Sequence, residues 1–370
     1  AELEQAAEVL GASRLTIVRR VTLGLTAPGI ARAALLVLGL CLADVTAPLL
    51  LGGDARVLAT AIVAAAAVDP AAAAGAAVTL GLLTLVVAGA AGPWRSGPGA
   101  RAALRRPERP TPLVFRRVLG VALGAVAAGL AALWATVPLG SVLAVAGRGV
   151  TLEHWRTLAT PAAVGALASS LVLALGVAVA GTALALLAAW AVERQRTSAG
   201  RAVEVLARLP LLVPGVVGGL GYLLLLASST PVAGTLLALV AVVACWELPV
   251  TSRAAREVLA GADRSVEDAA ISLGAGARTT LARVVAPTLR PAAGWIVGHL
   301  LAAGLLAVGT VIVLAPAGYA LGALTMLALA AAGATGAACA VATALLALAG
   351  GAVLLGRAIA GRRHGLTSFA

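Results

Sequence analysis

Lysine is missing from this chain: all 27 basic residues are arginine. Its absence excludes a phosphate-binding loop of the GxxxxGK[ST] kind, which needs an amine at the phosphates, so any work drawn from ATP comes through a partner. Charge of either sign is scarce. Charged residues fill 11% of the 370 positions, against roughly a quarter in a soluble domain. Aromatics make up 3%. The three histidines, His154, His299 and His364, are scattered, with no HxxE or CxxC spacing and no Ser/His/Asp set. No catalytic residue, metal site or cofactor is therefore expected. Cys41, Cys245 and Cys339 each sit inside an apolar run and read as small buried hydrophobes. No cleavable signal is visible either. The chain opens on Ala-Glu-Leu-Glu without a methionine, as expected of a stretch beginning partway through a longer product.

What is present is apolar and small. Hydrophobic residues reach 61%, and mean hydropathy is +1.04. Alanine and glycine fill much of the remainder, as suits membrane helices that must approach closely without a hydrophobic drive between them. A spanning helix takes roughly 20 apolar residues. Eight runs qualify, at about 30–51, 59–91, 118–139, 162–192, 209–228, 232–252, 291–314 and 321–356. The fold class expected is all-α, a polytopic transmembrane bundle of about eight helices.

Arginine placement orients it. With 253–290 in the cytosol, 1–29, 93–117, 193–208 and 357–370 are cytosolic too. Only Arg56, Arg148 and Arg156 then fall outside. The net charge of +12 thus lies in short loops between apolar runs rather than on one face of a soluble domain, which excludes nucleic acid as a partner. Residues 92–117, with seven arginines, one glutamate and many Pro and Gly, read as a cytosolic linker. The expected organisation is a first membrane unit at 1–91, the linker at 92–117, a second unit at 118–356 and a cytosolic tail at 357–370.

One short polar phrase occurs twice. "ELEQAAEVLGAS" at 2–13 and "SVEDAAISLGAG" at 265–276 align without a gap at a spacing of 263. Glu4 falls on Glu267, Ala6 and Ala7 on Ala269 and Ala270, Gly11 on Gly274, and Pro28 on Pro291, with ten identities in 25 residues. The second copy reads as helix, turn, helix. Ser265 is the expected N-cap with Asp268 three residues on. Gly274 supplies the turn, and Pro291 begins the next membrane run. The alanine pair beside carboxylates offers a smooth acidic surface suited to a groove on another protein.

These residues resemble the "EAA" coupling loop of permease subunits in ABC-type importers, written EAA, three residues, G, nine residues, I-x-L-P. The second copy has Asp268-Ala269-Ala270, Gly274 and Val284-Val285-Ala286-Pro287; the first has Gln5-Ala6-Ala7, Gly11 and Val21-Thr22-Leu23-Gly24. Residues 42–62, 305–326 and 209–226 look like the segments around each loop in fused, two-unit permeases of the ferric-iron type. The resemblance implies two copies of a cytosolic ABC ATPase docked on the loops, an extracytoplasmic substrate-binding protein, and a multi-pass site in a bacterial cell membrane, among its lipids. It also implies about four further helices upstream. Ferric iron is the cargo expected, with 2-aminoethylphosphonate, thiamine or a polyamine as alternatives. An ion-coupled secondary transporter is the alternative class, and would need a membrane carboxylate that gates transport.

Ionisable groups inside a bilayer are costly and default to functional hypotheses. Asp44, Glu247 and His299 are the pathway candidates. Their bland readings are a helix–helix hydrogen bond for Asp44, a structural anchor for Glu247, and a bond to backbone or hydroxyl for His299.

Overall fold

Caps and breakers, rather than the edges of apolar runs, set the helix ends. The computed structural model describes residues 2–53, 57–91, 113–143, 149–195, 198–211, 213–229, 235–315 and 319–361. Helix α1 (Glu2–Val9) is followed by a short turn, Arg14–Thr16, and a π-helical turn, Ile17–Thr22, leading into α2 (Leu23–Ala43). Then come α3 (Thr46–Leu51), α4 (Leu58–Ala66), α5 (Pro70–Ala91) and α6 (Leu113–Val142). A 3₁₀ segment, Glu153–Ala159, precedes α7 (Pro161–Trp190), which runs on as a π-helical turn, Ala191–Gln195. After it lie α8 (Ser198–Arg208), α9 (Gly215–Ser229), α10 (Leu236–Trp246), α11 (Leu248–Gly261) and α12 (Arg264–Ser272). The chain closes with a turn at Ala277–Thr280, a π-helical turn at Leu281–Val285, α13 (Ala286–Leu306), α14 (Val311–Leu314), α15 (Gly322–Ala331) and α16 (Thr335–Ala360).

Among the described residues, six continuous helical stretches are long and apolar enough to cross a membrane. Two bent pairs, Ser198–Leu211 with Gly215–Leu225 at 111° and Leu236–Trp246 with Leu248–Gly261 at 54°, raise the number to as many as eight. The protein is thus an all-α polytopic bundle, as composition required. Several expected runs are interrupted, each for a local reason. The run at 59–91 is two helices, because the Asp69 carboxylate accepts from the amides of Ala71 and Ala72 (3.1 and 3.0 Å) and caps α5 ahead of Pro70. The run at 321–356 divides at Gly333, whose φ of +77° ends α15. The run at 291–314 starts earlier, at Ala286, so that Pro291 lies inside α13 instead of opening it. Of the expected linker, 92–112 lies outside the described residues, while Leu113 already belongs to α6. The expected tail begins inside α16, and its residues from 362 on lie outside the described residues.

Packing divides the chain into two compact units, Ala1–Leu42 with Leu82–Ala135, and Ala43–Gly81 with Thr136–Ala370. This division follows contacts, so it does not coincide with the repeat boundaries at 91 and 118. In the first unit, Gly39 of α2 lies 3.8 Å from Val87 of α5, measured from its ideal Cβ position.

The second unit is built around α7. This helix is apolar on every side, yet most of what it buries is small: Ala163, Ala166, Ser170, Ala174, Ala178, Gly181, Ala185 and Ala188, alongside Leu173 and Val177. Of its other large residues, Leu171, Val172, Leu175, Val179 and Leu187 are 42–75% exposed. A water-soluble core sorts side chains the other way. Here lipid solvates the large apolar groups, so the helices meet where their backbones come closest. A Cβ on Gly304 of α13 would lie 2.7 Å from the Cα of Ala174, and Gly298 faces the Ala352 carbonyl of α16 at 3.0 Å. Arg290 adds an Nε–H bond to the Ile359 carbonyl (2.9 Å), pinning the ends of α13 and α16.

Substituting Gly298 by valine should therefore destabilise the folded protein in detergent by about 1–3 kcal/mol, the usual range for over-packing. The backbone of α16 offers no flexible group that could give way. Gly350, with nothing within 4 Å of a Cβ, should accept alanine without loss. Thermal unfolding of the two variants side by side measures both outcomes.

Candidate functional site

The twice-written phrase folds twice into one backbone shape. In the first copy Gly11 has φ +80° and in the second Gly274 has φ +85°, a left-handed conformation costing other residues roughly 1–2 kcal/mol. Both close the same pair of bonds at a helix end. The Gly11 amide donates to the Glu8 carbonyl (3.0 Å) and Ala12 to Ala7 (3.0 Å); Gly274 donates to Ile271 (2.9 Å) and Ala275 to Ala270 (3.0 Å). Ala7 and Ala270 are half-buried, Ala6, Ala269 and Asp268 are exposed, and Leu10 and Leu273 are 86% and 89% exposed. Gln5 lies on α1, its side chain outside the described residues. Each elbow thus holds out a leucine.

The likeness continues past the elbow. Adding 263 to the bounds of α2 gives Ala286 and Leu306, the bounds of α13. Both are preceded by a π-helical turn and followed by a break and a short helix, α3 or α14. Then come α4 or α15, and α5 or α16.

The acidic residues of the elbows are held differently. Glu4 accepts from the Thr22 hydroxyl (2.6 Å), a bond that lowers its pKa against a smaller opposing effect of burial. Glu267 turns inward to Arg194, Nη2–Oε1 2.6 Å, with side chains 18% and 8% exposed. Beside them Arg256 bridges Glu193 (3.0 Å) and Glu204 (2.8 Å). Sequence reasoning missed this cluster, whose partners lie 52–73 residues apart. The usable signal was the rarity of carboxylates, 15 in 370 residues, which made Glu193 and Glu204, close together in one short arginine-bearing segment, worth pairing with an arginine.

The N-cap of α12 is Asp263, not Ser265. The Asp263 carboxylate accepts from the Ser265 amide (2.9 Å). Position sets the role: the cap must precede the first helical residue, and Ser265 is already inside the helix.

The membrane candidates converge. A cavity of about 310 Å³ in the second unit is lined by Asp44, Thr46, Gly215, Trp246, Glu247 and Thr310, with neighbours from both helix breaks. Ala43–Thr46 ends α2 and Leu306–Gly309 ends α13, at the same place in the repeat, and both line this cavity. The Asp44 carboxylate accepts from the amides of Thr46 (3.0 Å) and Ala47 (3.2 Å), so it caps α3 locally instead of bonding a neighbouring helix. Glu247 occupies the elbow between α10 and α11, where its carboxylate meets His299 Nε2 at 2.9 Å. His299 thus bonds a carboxylate, not backbone or hydroxyl, and its ring stacks on Trp295 with centroids 5.0 Å apart. Gly218 leaves room for the Trp246 indole, and Gly219 lets α9 approach the Thr310 carbonyl. That explains the glycine pair Gly218-Gly219 of this helix. Among the described residues, no group of three or more His, Cys, Asp or Glu is placed to hold a metal ion.

No family model matches the chain. Among curated proteins it is similar to a Haemophilus influenzae protein named as a ferric transport system permease, FbpB 1, at 29% identity over 314 residues. The match covers 78% of this chain and 48% of that protein, so the chain spans about half the length of the curated relative it matches.

The Asp263 cap gives a pH test. Its folded-state pKa is lowered by the Ser265 amide. Its contribution is therefore complete above the ordinary aspartate value and lost as pH falls through the lowered one. Protection of the first-turn amides of α12, taken relative to each amide's intrinsic exchange rate at the same pH, should hold at neutral pH and fall only in acid. In Asp263→Ala that protection should be low throughout.

Proposed function

We propose that this chain is the membrane-spanning part of an ABC-type importer of a bacterial inner membrane, forming the pathway for cargo handed over by a binding protein. One observation carries the reading above the others: elbow, long helix, break and short helix recur in the same order at a spacing of 263 residues. The two elbows are docking points for two copies of a cytosolic ATPase. Leu10 and Leu273 supply apolar contact, and Asp268 supplies charge.

Closure of the ATPase pair pushes each elbow, and each push reaches a helix that ends in a break. In the second unit those breaks line the cavity carrying Asp44 and Glu247, so the moving parts end where the polar groups are. A ligand can shift such an equilibrium only through contacts that differ between the states. A short helix docked by an apolar residue provides such a contact. The name of the Haemophilus influenzae relative supports ferric iron as cargo. Two carboxylates and two threonines around the cavity offer oxygen to a hard cation in passage.

The chain itself does no ATP chemistry in this reading. Uptake should therefore depend on the partner's hydrolysis and persist when a proton or sodium gradient is collapsed. Leu273→Asp and Asp268→Arg should insert normally, while ATPase co-purification and iron uptake fall about ten-fold or more, the scale expected when a docking anchor is lost. Normal uptake in both variants, or labelling of a cysteine placed at Ile271 from outside the cell, would refute the proposal.

A further inference from the structure

Between two soft joints, α12 is a short rod. Ala262 is extended (φ −80°, ψ 133°) at its N-terminal end. At the other end Gly274, with φ +85° and no heavy atom near its Cβ position, leads into the next turn. A rod hinged at both ends cannot transmit a push through the chain alone. It needs a second attachment, and Arg194 is where one is built.

We propose that Arg194 is the positioning residue that latches the second elbow to α7 and so carries its motion to the cavity; this rests on the coupling role proposed above. The guanidinium holds Glu267 of α12 by Nη2 at 2.6 Å. The Arg194 carbonyl accepts from Arg264 Nη2 of the same helix at 2.9 Å, making a two-point attachment. With a side chain only 8% exposed, Arg194 ends the helical span Pro161–Arg194. That span packs on α13 at Gly304–Ala174 and Gly181–Leu300. Helix α13 in turn carries His299, bonded to Glu247 at the cavity.

Arg194 Nε is buried without a hydrogen-bond partner in the described structure, which is unusual for a charged donor. Nε and Nη2 form the side-on fork of a guanidinium, the arrangement that grips a carboxylate by two bonds. The idle Nε therefore gives Glu267 a second station. The latch can pass from a one-bond to a two-bond grip as α12 moves, without letting go.

The test uses the full-length protein with its ATPase in proteoliposomes, with Cys41, Cys245 and Cys339 replaced by alanine. Spin labels at Leu187 of α7 and Ile271 of α12 report the attachment, and cargo moved per ATP hydrolysed reports the coupling. In Arg194→Gln and in Glu267→Gln the label distance should broaden and the coupling ratio should fall about ten-fold, within the usual span of coupling energies. The double variant should be no worse than either single. Arg194→Lys, which keeps the charge, should retain a narrow distance. Unchanged distances and coupling in the single variants would overturn the proposal, as would losses that multiply in the double variant. Should Arg194→Gln fail to insert, Arg194→Lys decides: a narrow distance supports the latch, and a broad one in an inserted protein refutes it. If the unsubstituted protein binds no ATPase, the transport reading fails, while the label distances still judge the latch.

Discussion

Close approach of backbones is the constraint on which the second unit depends. In lipid, burying a leucine gains little, because hydrocarbon surrounds it either way. What distinguishes one helix face from another is how near a partner can come. Gly298, Gly304 and Ala174 allow α7, α13 and α16 to meet at main-chain distance, and Gly181 makes room for the Leu300 side chain. Dispersion contacts and the fixed register follow from that meeting. The abundance of alanine and glycine is therefore the packing code of this molecule.

Against that rigid background, the soft places are few and local. They are the left-handed glycines at the elbows, the π-helical turns after them, and the breaks after Ala43 and Leu306. Each interrupts a helix where a displacement would have to be absorbed or passed on. Polar side chains collect at such places: Asp263 and Glu267 beside one elbow, Asp44 at the first break, and Glu247 at the bend between α10 and α11 that lines the same cavity. A helix that stops exposes amides and carbonyls. Once backbone polarity is present, a carboxylate or hydroxyl costs less there than in mid-helix.

How much of this was legible in the sequence depends on range. Spans, caps and the doubled phrase are local, and the elbow at Gly274 was readable from Gly274 itself, since few other residues take that φ. The break at Asp44 was hidden inside an apolar run with no proline or glycine directly at it, and only the aspartate pointed to a cap. The pairing of Glu247 with His299 was not legible. Two polar residues 52 positions apart on separate helices meet only once the helix packing is known. Arg194 was hidden for the same reason, one arginine among 27, singled out by burial that no pattern announces. Reading Glu267 as a docking contact overlooked that an acid beside an alanine pair can as well face its own protein.

The recurrence at 263 residues bears on what stands opposite. Leu10 and Leu273 protrude at the same step after the same alanine pair, one residue before the same glycine. On the proposed docking role, a surface shaped for one elbow would also fit the other. Under the docking role proposed above, a chain of unlike halves would be served by a symmetric partner of two identical protomers, with the asymmetry of the proposed cycle left inside the bilayer.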